Sequence, residues 1–523
     1  MRKSYWMILA AACIIFAACN KDNTPTPAGE KAKYTVLVYA NGGENLDHLI
    51  EADLCDAADF LNTKDKDYSV RACVTMKYSS EKGLQAQSDS AQAEIKKNYI
   101  PGGEAGYVYS YELASGCIDF KEADGTLQYL KLNPKWTTDN AAAQMFSPNY
   151  ISETLKGVAK DLPAENYILI IAGHANGWCV DQDGEYPQQN RAPMSAMTDA
   201  NFNNRAITAK ELAQGIRNSG VNVKAVIFDC CLTNNIEYLS ELTDIPGLEY
   251  TLASGHTTKG GNYKEFLEQL YEVTNGKKDL KTALCDYAEV YARLHKEDYK
   301  LHPNDYMLMN TDFAVVDLAK LKNVWAPLKK VVDFLCDNYN AADSAKYEIP
   351  SREAYQYYNK TPKYDLMDYL ALMMGNGGPY ETNEQYKALY NALDDIMETA
   401  IVAHAYSLNY VDETKKPKDI AEATMSMSVN IGAKGCLQYS FTHIPQYGYP
   451  CYDYKGMEWY VDPTDKDTTW YQENPQYNLY NDWQYSVDKS KFQANTGWYN
   501  WVKKNPVMPY NNPPFGDDKD HNN

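Results

Sequence analysis

His174 and Cys231 are the residues of this chain best suited to covalent chemistry. A thiolate attacks a carbonyl carbon, and an imidazole takes the thiol proton and later returns it to a leaving amine. Each stands just after a run of apolar residues. Val226-Ile227-Phe228 runs into Asp229-Cys230-Cys231-Leu232, and Tyr167-Ile168-Leu169-Ile170-Ile171 runs into Gly173-His174-Ala175. Unbroken apolar runs mark parallel strands covered on both faces, and open α/β sheets place their chemistry at the carboxyl ends of such strands. On an extended strand residues two apart share a face, so Asp229 and Cys231 should project together while Cys230 points away. A lone His at a strand end is more often structural; it is the pairing with a Cys at a second strand end that favours catalysis. Cys230 is the rival nucleophile, and two adjacent thiols could close into a silencing disulfide. His256, in Ser254-Gly255-His256-Thr257, also follows an expected strand and is the rival base.

The elements that must position these residues alternate. The pattern predicts strands at 33–39, 69–76 and 249–254 beside the two already named, with a weaker extended piece at 106–111. Helices are expected at 45–61, 148–162, 209–219 and 235–242. Strands separated by helices point to βαβ units and a parallel sheet with helices on both faces. From 261 to 293 the pattern turns helical, and 307–316 reads as a late strand running into a helix at 317–339. Further helices are expected at 363–374 and 383–405, and a strand at 425–430. Beyond Tyr447 the chain is rich in Tyr, Trp, Asn and Pro with little periodicity, as in a segment that wraps onto a preceding domain.

The chain has 523 residues, 44% hydrophobic and 13% aromatic, enough for more than one packed unit. Net charge −20 removes the basic footprint that nucleic-acid binding needs. At the N-terminus Arg2 and Lys3 precede an apolar stretch that ends at Phe16-Ala17-Ala18-Cys19. It is too short to span a bilayer and has the three-part layout of an export signal. Small residues directly before Cys19 resemble a bacterial lipobox, although Phe16 stands where an aliphatic residue is usual. The expectation is cleavage after residue 18, a lipid on Cys19, and an exported protein anchored on a cell-surface or periplasmic face. The twelve Cys form no CxxC or Cys/His cluster of zinc spacing, so no metal site is expected.

Three blocks resemble the clostripain-like cysteine peptidases. Phe228-Asp229-Cys230-Cys231-Leu232, with Asn235-Ile236-Glu237 after it, resembles that family's Phe-Asp-Ala-Cys-Leu block. Thr35-Val36-Leu37-Val38-Tyr39-Ala40 and the segment from Ile170 to Trp178 resemble its other two. The resemblance implies an α/β fold, a caspase-like three-layer sandwich with a largely parallel sheet, plus a mixed helical, Tyr-rich C-terminal region. The chain then divides into a signal peptide at 1–18, a flexible tether at 19–31 and a disordered tail at 516–523, read from composition, around a catalytic domain at 32–320 and a C-terminal region at 321–515 packed on it. The resemblance further implies hydrolysis of peptide bonds after Arg or Lys, with Cys231 as nucleophile and His174 as its partner. Asp229 would then lie at the floor of the pocket for the basic side chain, Ala175 would follow the catalytic His in the substrate cleft, and His256 would line that cleft. The His-to-Cys spacing of 57 residues is close to the roughly 50 seen in caspases.

Two departures stand out. Ala175 replaces the family's Gly and Cys230 its Ala. The long polar loop 180–205 lies where the family cuts itself after a basic residue; Arg191 is the candidate, with Arg205 the alternative. The chemistry requires no cofactor. Calcium serves part of the family, and Asp181, Asp183 and Glu185 could hold it, but they fit an EF-hand loop poorly. The expected partners are Arg/Lys-containing peptides or proteins and a membrane met through the lipid. Two other readings stay open: a pseudo-peptidase lipoprotein that binds peptide or glycan, and a peptidase of the same clan with another preference at the cleaved residue.

Overall fold

The apolar runs and the amphipathic stretches between them assemble into three layers. The computed structural model describes residues 31–42, 46–64, 67–77, 108–113, 118–120, 127–129, 143–175, 196–199, 202, 205–256, 258, 260–301, 310–354, 363–408, 427–430 and 490–505. The central sheet contains eight strands: β1 (Ala32–Asn41), β2 (Val70–Lys77), β3 (Val108–Leu113), β4 (Ala164–Gly173), β5 (Val223–Asp229), β6 (Tyr250–Ala253), β7 (Asn310–Asp317) and β8 (Ile401–Leu408). Their order is β8-β7-β6-β5-β4-β1-β2-β3. The five inner strands from β2 to β6 are parallel, β3 at one edge and β7 at the other run opposite to them, and β8, antiparallel to β7, points the same way as the inner five.

Alternation along each strand divides the core into two. Leu37, Tyr39, Leu169, Ile171, Val226 and Phe228 face one side. There they meet Leu155 and Val158 of α2 (Pro148–Asp161), Leu212 and Ile216 of α3 (Ala209–Ser219), and Leu239 of α4 (Ile236–Leu242). Val36, Val38, Ile168, Ile170 and Ile227 face the other side. They are covered by Ile50 and Leu54 of α1 (Asp47–Asn62), Phe266 and Leu270 of α5 (Tyr263–Thr274), and Leu284 and Tyr291 of α6 (Leu280–Leu301). Burial of both strand faces explains why the strands read as solid apolar runs.

Five later helices join the first layer. α7 (Trp325–Asn338), α8 (Leu366–Leu372), α9 (Glu384–Ala400), α10 (Lys491–Thr496) and α11 (Trp498–Lys504) share its core, with Trp498 and Trp501 fully buried. The Lys491 N–H donates to Glu241 on α4 at 2.7 Å, and the Trp501 indole donates to the Tyr369 hydroxyl at 3.1 Å. Among the described residues no helix is long and apolar enough to cross a membrane.

Three elements depart from the sequence reading. The expected helix at 383–405 ends at Ala400, and Ile401–Leu408 extends as an edge strand against β7. No Gly or Pro marks that change; the β-branched pair Ile401-Val402 is its local signal, and pairing with β7 decides it. The expected helix at 363–374 begins as the strand Lys363–Asp365, paired with Ser428–Asn430, before α8. Asp365 caps α8 by accepting the N–H groups of Met367 and Asp368, each at 3.0 Å. The expected helix at 317–339 is broken by a 3-10 turn at Lys322–Val324 before α7.

Candidate active site

β5 carries the sulfur chemistry to the sheet edge. Its ladder with β4 pairs Ile171 with Phe228 and Ala172 with Asp229. Two residues further on, His174 and Cys231 follow on neighbouring strands at the same carboxyl edge. Adjacent strands lie about 4.8 Å apart, so the register sets positions 174 and 231 beside each other past the ends of neighbouring strands. β4 can end there because Gly173 adopts φ 143°; a Cβ on it would stand 2.3 Å from the Asn41 carbonyl oxygen. The His174 carbonyl accepts the Thr198 N–H at 3.1 Å, from a short strand, Ala196–Asp199, paired with Arg205–Ile207. That strand is held by Asp199, which meets Lys77 Nζ at 2.8 Å with both side chains buried. Lys77 also donates to the Ala143 carbonyl at 3.0 Å.

The two thiols part company as strand geometry requires. Cys230 is buried, and its Sγ donates to the Ile171 carbonyl at 3.3 Å. Burial first, then the Asp229 charge, pushes its pKa well above the ordinary thiol value. Cys231 is partly exposed, and its Sγ receives the Thr258 N–H at 3.4 Å. Both are free thiols, so the adjacent pair is not closed into a disulfide. The chain then reverses through Leu232 at φ 58°, and the turn is strapped to the loop after β6. The Leu232 N–H donates to the His256 carbonyl at 2.8 Å and the Asn234 N–H to the Ser254 carbonyl at 2.9 Å. Asn235 caps α4 through the Tyr238 N–H at 3.1 Å. Ala175 is buried and is not in a left-handed conformation, so its methyl carries no strain that Gly would relieve.

Asp229 is 8% exposed and accepts the Tyr263 hydroxyl at 2.6 Å. Burial raises its pKa to about 6, against the lowering pull of that hydrogen bond. His256 is also buried, with Nδ1 2.9 Å from Asp312 Oδ1. The same oxygen accepts the Ser254 hydroxyl at 2.9 Å and the N–H groups of Gly255 and His256 at 2.9 and 3.1 Å. His404 Nε2 of β8 stands 3.9 Å from Asp312 Oδ2. Burial alone would raise the Asp312 pKa; the imidazoles and hydrogen bonds outweigh it and hold the carboxyl below its ordinary value.

The structure thus brings His174, Ala175, Asp229, Cys231 and the His256 loop to one sheet edge. Sequence reasoning missed Asp53, Asp312, Thr258 and Tyr263. An acid inside the strand Thr311-Asp312-Phe313 was the available signal for Asp312; nothing local marked the others. Arg191, Cys19, the signal and tether up to residue 30, the tail 516–523, and Asp181, Asp183 and Glu185 lie outside the described residues. Among the described residues no group of three or more His, Cys, Asp or Glu is arranged to hold a metal.

A sequence profile of the clostripain family matches residues 124–501. No curated protein matches the sequence. The X-ray structure of a secreted C11 cysteine protease from Bacteroides thetaiotaomicron, "iotapain", is similar, with TM-score 0.50 and 16% identity over 77% of this chain and 94% of that one. The X-ray structure of an inactive zymogen C11 protease from Parabacteroides distasonis gives TM-score 0.50 and 14% identity over 89% of this chain and 99% of that one. At these identities the likeness establishes the architecture, an α/β caspase-like sandwich.

Proposed function

This chain belongs to the clostripain family of cysteine peptidases, and from that premise we propose that it is an exported endopeptidase cleaving after Arg or Lys through Cys231 and His174. The observation that carries the proposal is the ladder pairing Ala172 with Asp229, which sets the His and Cys strand ends side by side. In the first step His174 takes the Cys231 proton, and the sulfur bonds to the substrate carbonyl carbon. The oxyanion is met by backbone N–H groups, for which Cys231 and Ala175 are the candidates. The C–N bond then breaks, and His174 returns its proton to the leaving amine. Water hydrolyses the thioester with His174 again as base, releasing the acid and the free thiol. Thr258 supports the sulfur with an N–H suited to a thiolate.

Asp229 is the acid that selects the basic side chain. A carboxylate in a poorly solvated site binds guanidinium or ammonium through charge-assisted hydrogen bonds. The role of Cys230 is structural, consistent with its buried thiol. His256 serves the cleft through its loop, with its imidazole paired to Asp312. Export rests on the N-terminal signal and anchoring on Cys19; labelling with radioactive fatty acid tests the latter, and an unlabelled Cys19 overturns it. Self-cleavage is assigned to Arg191, and mass spectrometry of wild type beside Cys231→Ala should find a cut only in the former.

The experiment for the activity itself is turnover of fluorogenic peptides ending in Arg, Lys, Asn or Asp under reducing conditions, with and without calcium. Cleavage after Arg and Lys that disappears in Cys231→Ala supports the proposal. Cleavage after Asn or Asp keeps the dyad and removes the role given to Asp229. Silence in every case, including after limited proteolysis, favours a binding lipoprotein.

A further inference from the structure

Asp53 lies on α1, far in sequence from Cys231, yet its side chain reaches the loop that touches the Cys231 sulfur. Oδ2 accepts the Gly261 N–H at 2.6 Å and Oδ1 the Asn262 N–H at 3.1 Å. The Tyr287 hydroxyl of α6 donates to the carbonyl of the same Gly261. The other flank of this glycine faces Asp229: a Cβ here would stand 2.8 Å from Asp229 Oδ2 and collide with the Tyr263 ring. One peptide is therefore pinned between two carboxylates and two tyrosines. Three residues earlier on the same loop, Thr258 touches the Cys231 sulfur. Burial first, and the Asp229 charge second, raise the Asp53 pKa to about 8, while its two backbone donors pull the other way. The two acids oppose each other across a single glycine, which is a costly arrangement to keep without a use.

We infer that Asp53 is a positioning residue for selection of a basic side chain: it clamps Gly261 and Asn262 behind Asp229 and so fixes the pocket wall against which Asp229 is held. The inference rests on the reading of Asp229 as the selecting acid. Loosening the clamp should therefore weaken substrate binding and leave the thiol chemistry alone.

The test uses the full chain carrying Asp53→Asn, Asp53→Glu or Tyr287→Phe, with kcat and KM measured separately on peptides ending in Arg and Lys. Alkylation of Cys231 by iodoacetamide, which has no basic side chain to place, is measured in parallel. Asp53→Asn should raise KM about tenfold for both peptides, because its Nδ2 cannot accept and one of the two N–H groups of Gly261 and Asn262 loses its partner, with Asp53→Glu recovering part of it. Alkylation should stay within about twofold of wild type. An unchanged KM in Asp53→Asn overturns the inference, and so does a common fall in kcat, alkylation and affinity, which would mean general damage. If Asp53→Asn does not fold, Tyr287→Phe frees the same peptide from its other side; a raised KM there supports the inference and an unchanged one overturns it. Asp229→Asn separates the two readings. If it loses the basic preference while Asp53→Asn does not, only the Asp53 role falls; if it keeps that preference, the Asp229 reading falls and takes this one with it.

Discussion

Replacing Asp229 with Asn should make the protein more stable and a worse peptidase at the same time. The Asp229 pKa moves from an ordinary 3.8 to about 6 because burial penalises its charge. A rise of about 2 units corresponds to about 3 kcal/mol against the ionised form in the folded state. Because the folded value lies above the unfolded one, the protonated carboxyl is the form that folding favours. Its relative benefit is complete below the unfolded pKa and is lost as pH rises through about 6. At pH 8 the wild type therefore carries the full penalty of about 3 kcal/mol, and near pH 4 well under about 1 kcal/mol. Asn cannot ionise and still offers an oxygen to the Tyr263 hydroxyl. Urea unfolding of both proteins at several pH values measures the difference. The stability gain of Asp229→Asn should grow from pH 4 to pH 8 by about 2 to 3 kcal/mol, while kcat/KM on Arg and Lys peptides collapses. A difference that does not vary with pH, or a variant that is less stable at pH 8, refutes the reasoning.

Cys230→Ala should keep peptidase activity within about threefold and cost about 1 kcal/mol in urea unfolding, since it removes a small buried group and one weak hydrogen bond. Lys77→Met removes the cation that faces buried Asp199, and should lower stability by about 3 to 5 kcal/mol in the same assay. Gly173→Ala forces a methyl towards the Asn41 carbonyl at a left-handed φ; it should cost at least about 2 kcal/mol and reduce kcat more than KM, because it displaces the strand end that carries His174.

The strands and the two candidate catalytic residues were legible because each is a local pattern: an apolar run, then a residue with chemistry. Strand periodicity also separated Cys230 from Cys231, and the structure places one thiol in the core and the other at the edge. β8 was not legible. Asn383 to Ala400 is an uninterrupted helical pattern, and only the partner strand β7, more than eighty residues earlier, turns the following Ile401-Val402 into strand. Asp53 and Asp312 were missed for a related reason. An acid's role depends on which backbone N–H groups converge on it, and those of Gly261 and Gly255 reach Asp53 and Asp312 only after the sheet has formed. Nothing in the sequence marks Gly173 and Gly261 as constrained; the Asn41 carbonyl beside one and the Asp229 carboxylate beside the other explain why neither can carry a side chain.

The most direct measurement of the central claim is capture of the nucleophile. A short peptide ending in Arg and carrying an electrophilic ketone in place of the scissile bond is incubated with the full chain, before and after limited proteolysis, and the modified residue is mapped by mass spectrometry. The account predicts one adduct, on Cys231, absent in His174→Ala and in competition with an Arg-ending substrate. An adduct on Cys230, or one on Cys231 that forms equally well with an Asp-ending peptide, would contradict it.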